Sequence, residues 1–375
     1  WVPWLRQLPA IPAGEPLVIG EDIERTRIEA IQKHFETFWI LDTPARYEVK
    51  STPLFTGANS TVYLVYDHEE RRIALLKTYK NRESSMGLRA SREGAILSDL
   101  GQRGISFVPA YYGALGDQGI FLEFISSSLS PDVTLLSLPI EKLQETIFSF
   151  NDVGHRLMLS REDFIRIMSD LGEQFAAIYA YGYIHGDIKG ENILLYRDDG
   201  GWKVKIIDFT SSASVKAVGQ DVYLIGTKDY KPPEWEVSPQ ADEYSFATMV
   251  YRQLVGTFPF DRNYPREGPL NKGVRPITEI KLQGETITDN IVMQKLNAVF
   301  GSALSYNPSN RYPSTKAFVD ELIPILKEIP LAPQSVLNLN SVLTEGTDVG
   351  ANEVTIGQTQ PQPPVSLKIQ VNVFF

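Results

Sequence analysis

The sequence contains no cysteine, which excludes disulfides, thiolate metal sites and cysteine nucleophiles. This absence fits a reducing compartment, and we expect a cytoplasmic protein. No apolar run reaches the roughly 18 residues that a membrane-spanning helix requires, so no membrane span is expected. The formal net charge of −10 argues against nucleic-acid binding, because proteins that bind phosphate backbones carry basic surfaces. With 43% hydrophobic and 22% charged residues, the 375-residue chain has an ordinary globular composition.

The spacing of apolar residues divides the chain into a β-rich part and a helical part. Short apolar runs predict strands at 62–66, 73–76, 105–114, 119–125, 193–196 and 204–207. A helix is expected from about 84 to 100. Further helices are expected at 160–182, 241–255, 290–304 and 314–328. We therefore expect an α+β chain in which a small β-rich lobe joins a larger helical lobe near Ser126.

Both ends of the chain differ from this central region. Residues 1–43 are expected to form an irregular arm and an amphipathic helix, the helix running from about 21 to 40. Residues 329–364 read as a flexible linker, because their composition cannot build a core. Residues 365–375 alternate apolar and polar side chains, which predicts a strand with one buried face. Such a strand needs a sheet: it either joins an edge of the small lobe or, as we favour, begins a further domain or meets a partner.

One ten-residue stretch, HGDIKGENIL at 185–194, concentrates ionisable groups directly before an apolar strand. Asp187, Lys189 and Asn192 lie in this loop, and Asp208 follows the next apolar strand. An acid at the end of a buried strand, facing a loop that offers an amide oxygen, can hold Mg²⁺ between them. Phosphate and water usually complete the shell of this ion. The spacing therefore suggests a phosphate-handling site.

A second pair of charged residues lies upstream. Lys77 ends an apolar strand at a position where a hydrophobic residue is expected, and Glu93 follows sixteen residues later on a helix. Such an ion pair costs desolvation energy unless the lysine has a task, such as gripping phosphate oxygens.

From about residue 44 to 328 the chain resembles the eukaryotic-type (Ser/Thr) protein kinases, whose landmarks occur in the same order. The matching stretches are Ala-Leu-Leu-Lys77, Glu93 at the head of Glu-Gly-Ala-Ile-Leu, His185–Asn192, Asp208-Phe-Thr, Gly226–Glu234, Asp242-Glu-Tyr-Ser-Phe, and Arg311 in Asn-Pro-Ser-Asn-Arg. The resemblance implies a two-lobed protein kinase fold, with the N-lobe at 44–125 and the C-lobe at 126–328. It also implies ATP- and Mg²⁺-dependent transfer of the γ-phosphoryl group to Ser/Thr hydroxyls of a protein substrate.

The resemblance also assigns roles to individual residues. Asp187 would accept or orient the proton of the attacking hydroxyl, and Lys189 would steady the transferring phosphoryl group. Lys77, aligned by Glu93, would grip the α- and β-phosphates. The expected metal ligands are Asn192 and Asp208. The expected nucleotide contacts are Gly57, Ser60, Val62, Leu122, Glu123, Ile125 and Leu194.

Four positions depart from the family pattern. Only Gly57 remains of the three glycines expected in the phosphate loop, and Leu75 replaces the alanine that usually lies over adenine. Thr210 replaces the glycine after Asp-Phe, which should restrict backbone flipping. Gly186 replaces the arginine that reads a phosphate on the activation segment, so we expect activity without phosphorylation there.

Two alternatives to a protein kinase stay open. A pseudokinase scaffold is favoured by the reduced glycine loop and Leu75, although the central catalytic groups are present. A small-molecule phosphotransferase of the aminoglycoside-kinase type is favoured by the His-Gly-Asp form of the motif. Against it stand Glu234, Asp242 and Arg311, which belong to an apparatus for binding peptides.

Overall fold

The computed structural model describes most of the chain between residues 37 and 329, in the ranges 37–40, 46–57, 60–79, 84–116, 118–126, 138–144, 147–150, 159–198, 201–217, 226–234, 236–261, 273–282 and 284–329. The predicted N-terminal arm, most of the N-terminal helix, the linker beyond Ile329 and the alternating segment 365–375 lie outside the described residues.

The smaller lobe is built around one antiparallel sheet. Its strands are β1 (Thr37–Ile40), β2 (Tyr47–Lys50), β3 (Phe55–Thr56), β4 (Ser60–Asp67), β5 (Arg72–Tyr79), β6 (Tyr111–Leu115) and β7 (Gly119–Glu123). They lie in the order β1-β2-β4-β5-β7-β6, with β3 paired to β4. Helix α1 (Ser84–Gln102) packs on the sheet through Ile96, Leu97 and Leu100, which are buried with Ile120. The strands predicted at 62–66 and 73–76 correspond to β4 and β5, and the helix predicted from about 84 to 100 corresponds to α1.

Two elements of this lobe differ from the sequence-based expectation. The helix expected up to residue 40 does not include Thr37–Ile40, which form β1 and pair with Tyr47–Lys50. Threonine, phenylalanine, tryptophan and isoleucine all favour strands, and the neighbouring strand supplies the backbone partners that a periodicity within one segment cannot reveal. The strand expected at 105–114 begins only at Tyr111. Pro109 lies just before it, and proline has no N–H to donate to a sheet.

The larger lobe is mainly helical. Its elements are α2 (Ile140–Gln144), β8 (Phe148–Ser149), α3 (Arg161–Ala180), β9 (Tyr183–Ile184), β10 (Ile193–Asp198), β11 (Gly201–Ile206), β12 (Ala213–Ser214), α4 (Pro239–Val255), β13 (Ile280–Leu282), β14 (Glu285–Ile287), α5 (Asn290–Ala303) and α6 (Thr315–Glu328). The four helices expected beyond Ile125 correspond to α3, α4, α5 and α6. The α+β, two-lobed architecture predicted from the sequence is therefore present.

Local sequence signals explain why the central helices start and stop where they do. Ser160 caps α3 by accepting the Asp163 N–H at 3.0 Å. Ser238 caps α4 in the same way, Pro239 stands in its first turn, and the helix ends at Gly256 with φ 81°. Helix α4 is buried along most of its length, including two acidic side chains. A buried helix of this kind forms the base on which the site is assembled.

Among the described residues, no helix has both the length and the apolar composition needed to cross a bilayer.

Candidate active site

Helix α4 anchors the loop between β9 and β10. The Asp242 carboxylate accepts the backbone N–H groups of His185 and Gly186 at 2.8 and 2.9 Å. Burial raises the pKa of Asp242, although His185 and the two donated hydrogen bonds act in the opposite direction. The His185 ring is fully buried, and its Nε2 lies 3.0 Å from the Ile207 carbonyl oxygen. His185 therefore braces the loop.

Gly186 adopts a backbone conformation that favours glycine. Its φ is 78°, in the left-handed region where a side chain is strained. The arginine that the family pattern places here would therefore cost backbone energy in this loop. The geometry at this position agrees with the residue that the sequence supplies.

Asp187, Lys189 and Asn192 lie together, and Thr227 joins them from the later part of the chain. Asp187 Oδ1 accepts the Thr227 N–H at 2.6 Å and the Thr227 hydroxyl at 2.9 Å. Lys189 Nζ donates to Thr227 Oγ1 at 2.9 Å and lies 3.0 Å from Asp187 Oδ2. Asn192 Nδ2 donates to the Asp187 carbonyl oxygen at 2.8 Å. These contacts hold the Asp187 carboxylate in one orientation.

The close approach of this segment depends on Gly226. A Cβ at Gly226 would lie 2.6 Å from the Gly186 carbonyl oxygen and 3.1 Å from Asp187 Oδ1. No side chain fits there without moving the backbone, so glycine is required for Thr227 to reach Asp187.

Lys77, Glu93 and Asp208 form a second charged set. Lys77 Nζ lies 3.1 and 3.0 Å from the two Glu93 carboxylate oxygens and 2.7 Å from Asp208 Oδ1. Burial acts to lower the pKa of Lys77, but the Asp208 and Glu93 carboxylates outweigh it and raise that pKa above its ordinary value. Burial likewise acts against ionised Asp208, but Lys77 holds the pKa of Asp208 below its usual range. Both groups are therefore charged at neutral pH.

The donor set at Asn192 and Asp208 fits a hard divalent cation. Asn192 is fully buried, and its Oδ1 has no hydrogen-bond partner in the part of the chain described. A buried amide oxygen without a donor is costly unless something else fills that role. Together with the ionised Asp208 carboxylate it supplies the oxygen ligands that Mg²⁺ prefers.

The apolar residues expected around adenine are all buried, and three of them lie in two small clusters. Val62 is buried in one cluster, and Ile125 and Leu194 are buried in the other. Leu122 is buried and pairs in register with Leu75 across β5 and β7. Leu75 is partly buried and packs against the Val62 cluster, so its larger side chain is accommodated by the surrounding core.

The remaining expected nucleotide contacts have backbone or side-chain roles in the structure. The Gly57 N–H donates to the Ser60 carbonyl oxygen at 3.0 Å, which ties the end of β3 to the start of β4. The Glu123 carboxylate accepts the Ala110 N–H at 3.0 Å and forms a partly buried ion pair with Lys205 of β11. The side chain of Glu123 thus ties the end of β7 to the strand that leads to Asp208.

Sequence reasoning missed Lys205 and also Tyr79, whose hydroxyl donates to Glu93 Oε2 at 2.5 Å. Burial, followed by the negative charge of Glu93, raises the pKa of Tyr79, so its hydroxyl stays a donor. A signal for Tyr79 existed: it lies two residues after Lys77, and residues two apart on a strand share a face.

The segment after Thr227 is held to the larger lobe by an ion pair. Arg311 has a fully buried side chain and donates to both Glu234 oxygens, at 2.7 and 2.8 Å. A bidentate pair of this kind fixes orientation as well as distance. Ser245 of α4 also donates to the Tyr230 carbonyl oxygen at 3.0 Å.

Comparison with known proteins supports the expected family. Residues 49–323 match the family model described as the protein kinase domain. The chain is similar to the serine/threonine-protein kinase PksC of Streptomyces coelicolor, with 24% identity over 85% of this chain and 56% of the relative. The serine/threonine-protein kinase PknB of Mycobacterium leprae is 25% identical, over 78% of this chain and 45% of the relative. The serine/threonine-protein kinase pkn2 of Myxococcus xanthus is 34% identical over 27% of this chain and 13% of the relative.

The solved structures support the same fold. A crystal structure of the Rad53 kinase domain and SCD2 aligns with a TM-score of 0.50 and 17% identity, covering 77% of this chain and 91% of that chain. The chain spans about half the length of the two relatives that it matches along most of its own length, 56% and 45%. The family model covers well over half of the sequence, and the predicted architecture agrees with it. The chain belongs to the protein kinase family.

Proposed function

We propose that this chain is a serine/threonine protein kinase that transfers the γ-phosphoryl group of ATP, with Mg²⁺, to hydroxyls of a protein substrate. One observation carries the proposal: Asp187, Lys189 and Thr227 form one hydrogen-bonded set beside Asn192. Phosphoryl transfer depends mostly on positioning and on charge that stabilises the transition state. A carboxylate held by a lysine and a threonine meets the positioning requirement.

We assign the following roles to the residues of the site. Asp187, whose carboxylate is held by Thr227 and Lys189, orients the acceptor hydroxyl and takes up its proton. Lys189 contributes positive charge next to the transferring group. Lys77, kept charged by Glu93 and Asp208, binds the nucleotide phosphates.

The proposed metal site consists of Asn192 Oδ1 and the Asp208 carboxylate. A bound Mg²⁺ would neutralise negative charge on the phosphates. The adenine site consists of Val62, Leu122, Ile125 and Leu194, with Glu123 at its edge. Gly57 and Ser60 would contact the phosphates.

Two observations favour this proposal over the alternatives. A pseudokinase scaffold does not require charged groups at contact distance, yet Lys77 Nζ lies within 3.1 Å of carboxylate oxygens of both Glu93 and Asp208. A small-molecule phosphotransferase does not require a platform for peptides, yet the bidentate Arg311–Glu234 pair fixes the segment that would form it.

Three finer features are part of the same proposal. We propose the division into an N-lobe at 44–125 and a C-lobe at 126–328, with a strand at 365–375 that belongs to a further domain or meets a partner. We propose a cytoplasmic protein, supported by the lack of cysteine. Activity should not require phosphorylation of the activation segment, because Gly186 carries no guanidinium to read a phosphate.

The test is a transfer assay with radiolabelled ATP and Mg²⁺. The purified chain is offered casein or histone in one arm and a panel of sugars and aminoglycosides in the other. We expect label on protein serine or threonine by phosphoamino-acid analysis, and a loss of more than tenfold in Asp187→Asn, as is typical when a proton acceptor is removed. Asp320→Asn, a matched change at an exposed ion pair, should behave as wild type. Label on small molecules alone, or on nothing, would refute the proposal.

A further inference from the structure

The Thr210 side chain lies between Asp208 and Glu93, the two acidic residues that contact Lys77 in the candidate active site. Its Oγ1 lies 2.5 Å from Asp208 Oδ1 and 2.9 Å from Glu93 Oε2. Lys77 Nζ donates to the same oxygen at 3.1 Å. A single hydroxyl therefore contacts all three members of the Lys77–Glu93–Asp208 set.

The single proton of the Thr210 hydroxyl limits which hydrogen bonds it can donate. A threonine hydroxyl has one proton to donate and lone pairs to accept. It accepts from Lys77, so its proton goes to one of the two carboxylates, and it lies within hydrogen-bond distance of both. Whichever carboxylate it bonds, the hydroxyl ties that carboxylate to the Lys77 ammonium, and Lys77 Nζ itself lies within 3.1 Å of oxygens of both Asp208 and Glu93.

The backbone around Thr210 adds a second link between the same elements. The Phe209 N–H donates to Glu93 Oε1 at 3.1 Å, and the Phe209 side chain is fully buried in the main core. Asp208 has φ 66°, in the left-handed region, which an aspartate adopts only when its surroundings hold it there. The Thr210 N–H lies 3.4 Å from Asp208 Oδ1, and the Thr210 hydroxyl approaches the same oxygen more closely.

We propose that Thr210 is a positioning residue whose hydroxyl, by bonding one carboxylate and accepting from Lys77, links Asp208 to Glu93 through Lys77, so that the expected metal ligand and the phosphate-gripping lysine are held as one unit before metal or nucleotide binds. The residue that the family pattern places at this position is glycine, which has no hydroxyl. The catalytic consequence rests on the proposed function, whereas the positioning of helix α1 does not.

Three substitutions separate the hydroxyl from the backbone restriction. Thr210→Ser keeps the hydroxyl. Thr210→Val keeps the branched Cβ, and hence the backbone restriction, but loses the hydroxyl. Thr210→Gly loses both. Thr286→Val is the matched control, because Thr286 is exposed on β14, far from these contacts in sequence.

The first measurement uses the metal-free, nucleotide-free protein. Hydrogen exchange of the Phe209 amide reports whether Glu93 still accepts its N–H. We expect Thr210→Val and Thr210→Gly to exchange faster by about tenfold or more, since hydrogen bonds to charged groups are among the stronger ones. Thr210→Ser and Thr286→Val should exchange as wild type does. Circular dichroism and thermal unfolding establish that each variant is folded.

The second measurement is the Mg²⁺ concentration for half-maximal binding of a fluorescent ATP analogue. Loss of a group that orients a metal ligand typically weakens metal affinity about 10- to 100-fold, so Thr210→Val should shift this midpoint upward by about tenfold or more. The exposed control Thr286→Val should leave the Mg²⁺ midpoint close to the wild-type value, well short of the change expected for Thr210→Val.

The outcomes are decisive in both directions. The inference is overturned if Thr210→Val keeps wild-type exchange and a wild-type Mg²⁺ midpoint. It is also overturned if Thr210→Ser is as defective as Thr210→Val, or if Thr286→Val shifts the midpoint as strongly. A protein that transfers no phosphate but shows the expected exchange pattern would refute the proposed function and leave the positioning role of Thr210 supported.

Discussion

Replacing Asp242 with asparagine tests how the catalytic loop is held. The Asp242 carboxylate accepts two backbone N–H groups, from His185 and Gly186, and the Tyr179 hydroxyl lies at 3.4 Å. Asparagine has nearly the same shape but only one acceptor oxygen. Its amide nitrogen must therefore face one of the two backbone N–H groups, which leaves a buried donor without an acceptor.

The magnitude follows from these contacts. A hydrogen bond to a charged group contributes about 1.5–3 kcal/mol, and an unsatisfied buried donor costs about 1–3 kcal/mol. Removing the buried charge offsets part of this loss, since burial raises the pKa of Asp242 and so disfavours its ionised form. We expect a net loss of about 2 kcal/mol in the free energy of unfolding. For a domain of this size that corresponds to a fall of roughly 4–8 °C in Tm.

Losing one of these hydrogen bonds should also displace the catalytic loop and so reduce turnover. Asp187 lies two residues after His185, and small misplacements of catalytic groups cost up to about 100-fold in rate. Thermal unfolding and steady-state transfer to a protein substrate are measured for Asp242→Asn and for Asp320→Asn. The exposed control pair should change stability by less than about 1 kcal/mol. A Tm within 1 °C of wild type, roughly a quarter of the smallest expected fall, would refute this account of the loop.

The remaining predictions concern pH and phosphorylation. Burial raises the pKa of Glu243, whose carboxylate oxygens have no hydrogen-bond partner among the described residues. The native state therefore keeps a proton that the unfolded state releases: this stability is complete below the ordinary carboxyl pKa and is lost as pH rises through the raised one. Between the ordinary and the raised carboxyl pKa, the stability of Glu243→Gln relative to wild type should increase by up to about 1.4 kcal/mol per pH unit. Urea unfolding midpoints that differ by the same amount at every pH would contradict this. Phosphatase treatment of the active protein should leave its rate unchanged, because Gly186 cannot read a phosphate; a large loss restored by preincubation with ATP would count against this reasoning.

Much of the fold followed from patterns that are local in the chain. The hairpin β4–β5 and helix α3 depend on side chains a few residues apart, so their periodicity and caps could be read directly. Sequence similarity of ordered motifs also brought Lys77, Glu93, Asp187 and Asp208 into one expected site, and the structure places them at contact distance in their two sets. Strand β1 was missed because its partner lies outside the segment whose periodicity predicted a helix.

The sequence by itself determined the family resemblance, the order of the main helices and strands between β4 and α6, and the chemical groups available to the site. Only the tertiary structure decided how those groups are shared. The Thr210 hydroxyl reaches Glu93 across 117 positions and Lys77 across 133, and Lys205 meets Glu123 across 82. Contacts of this kind have no period and no local spacing. They depend on how α1, the sheet and α4 pack together, and that packing is set by the buried apolar surface of the whole domain.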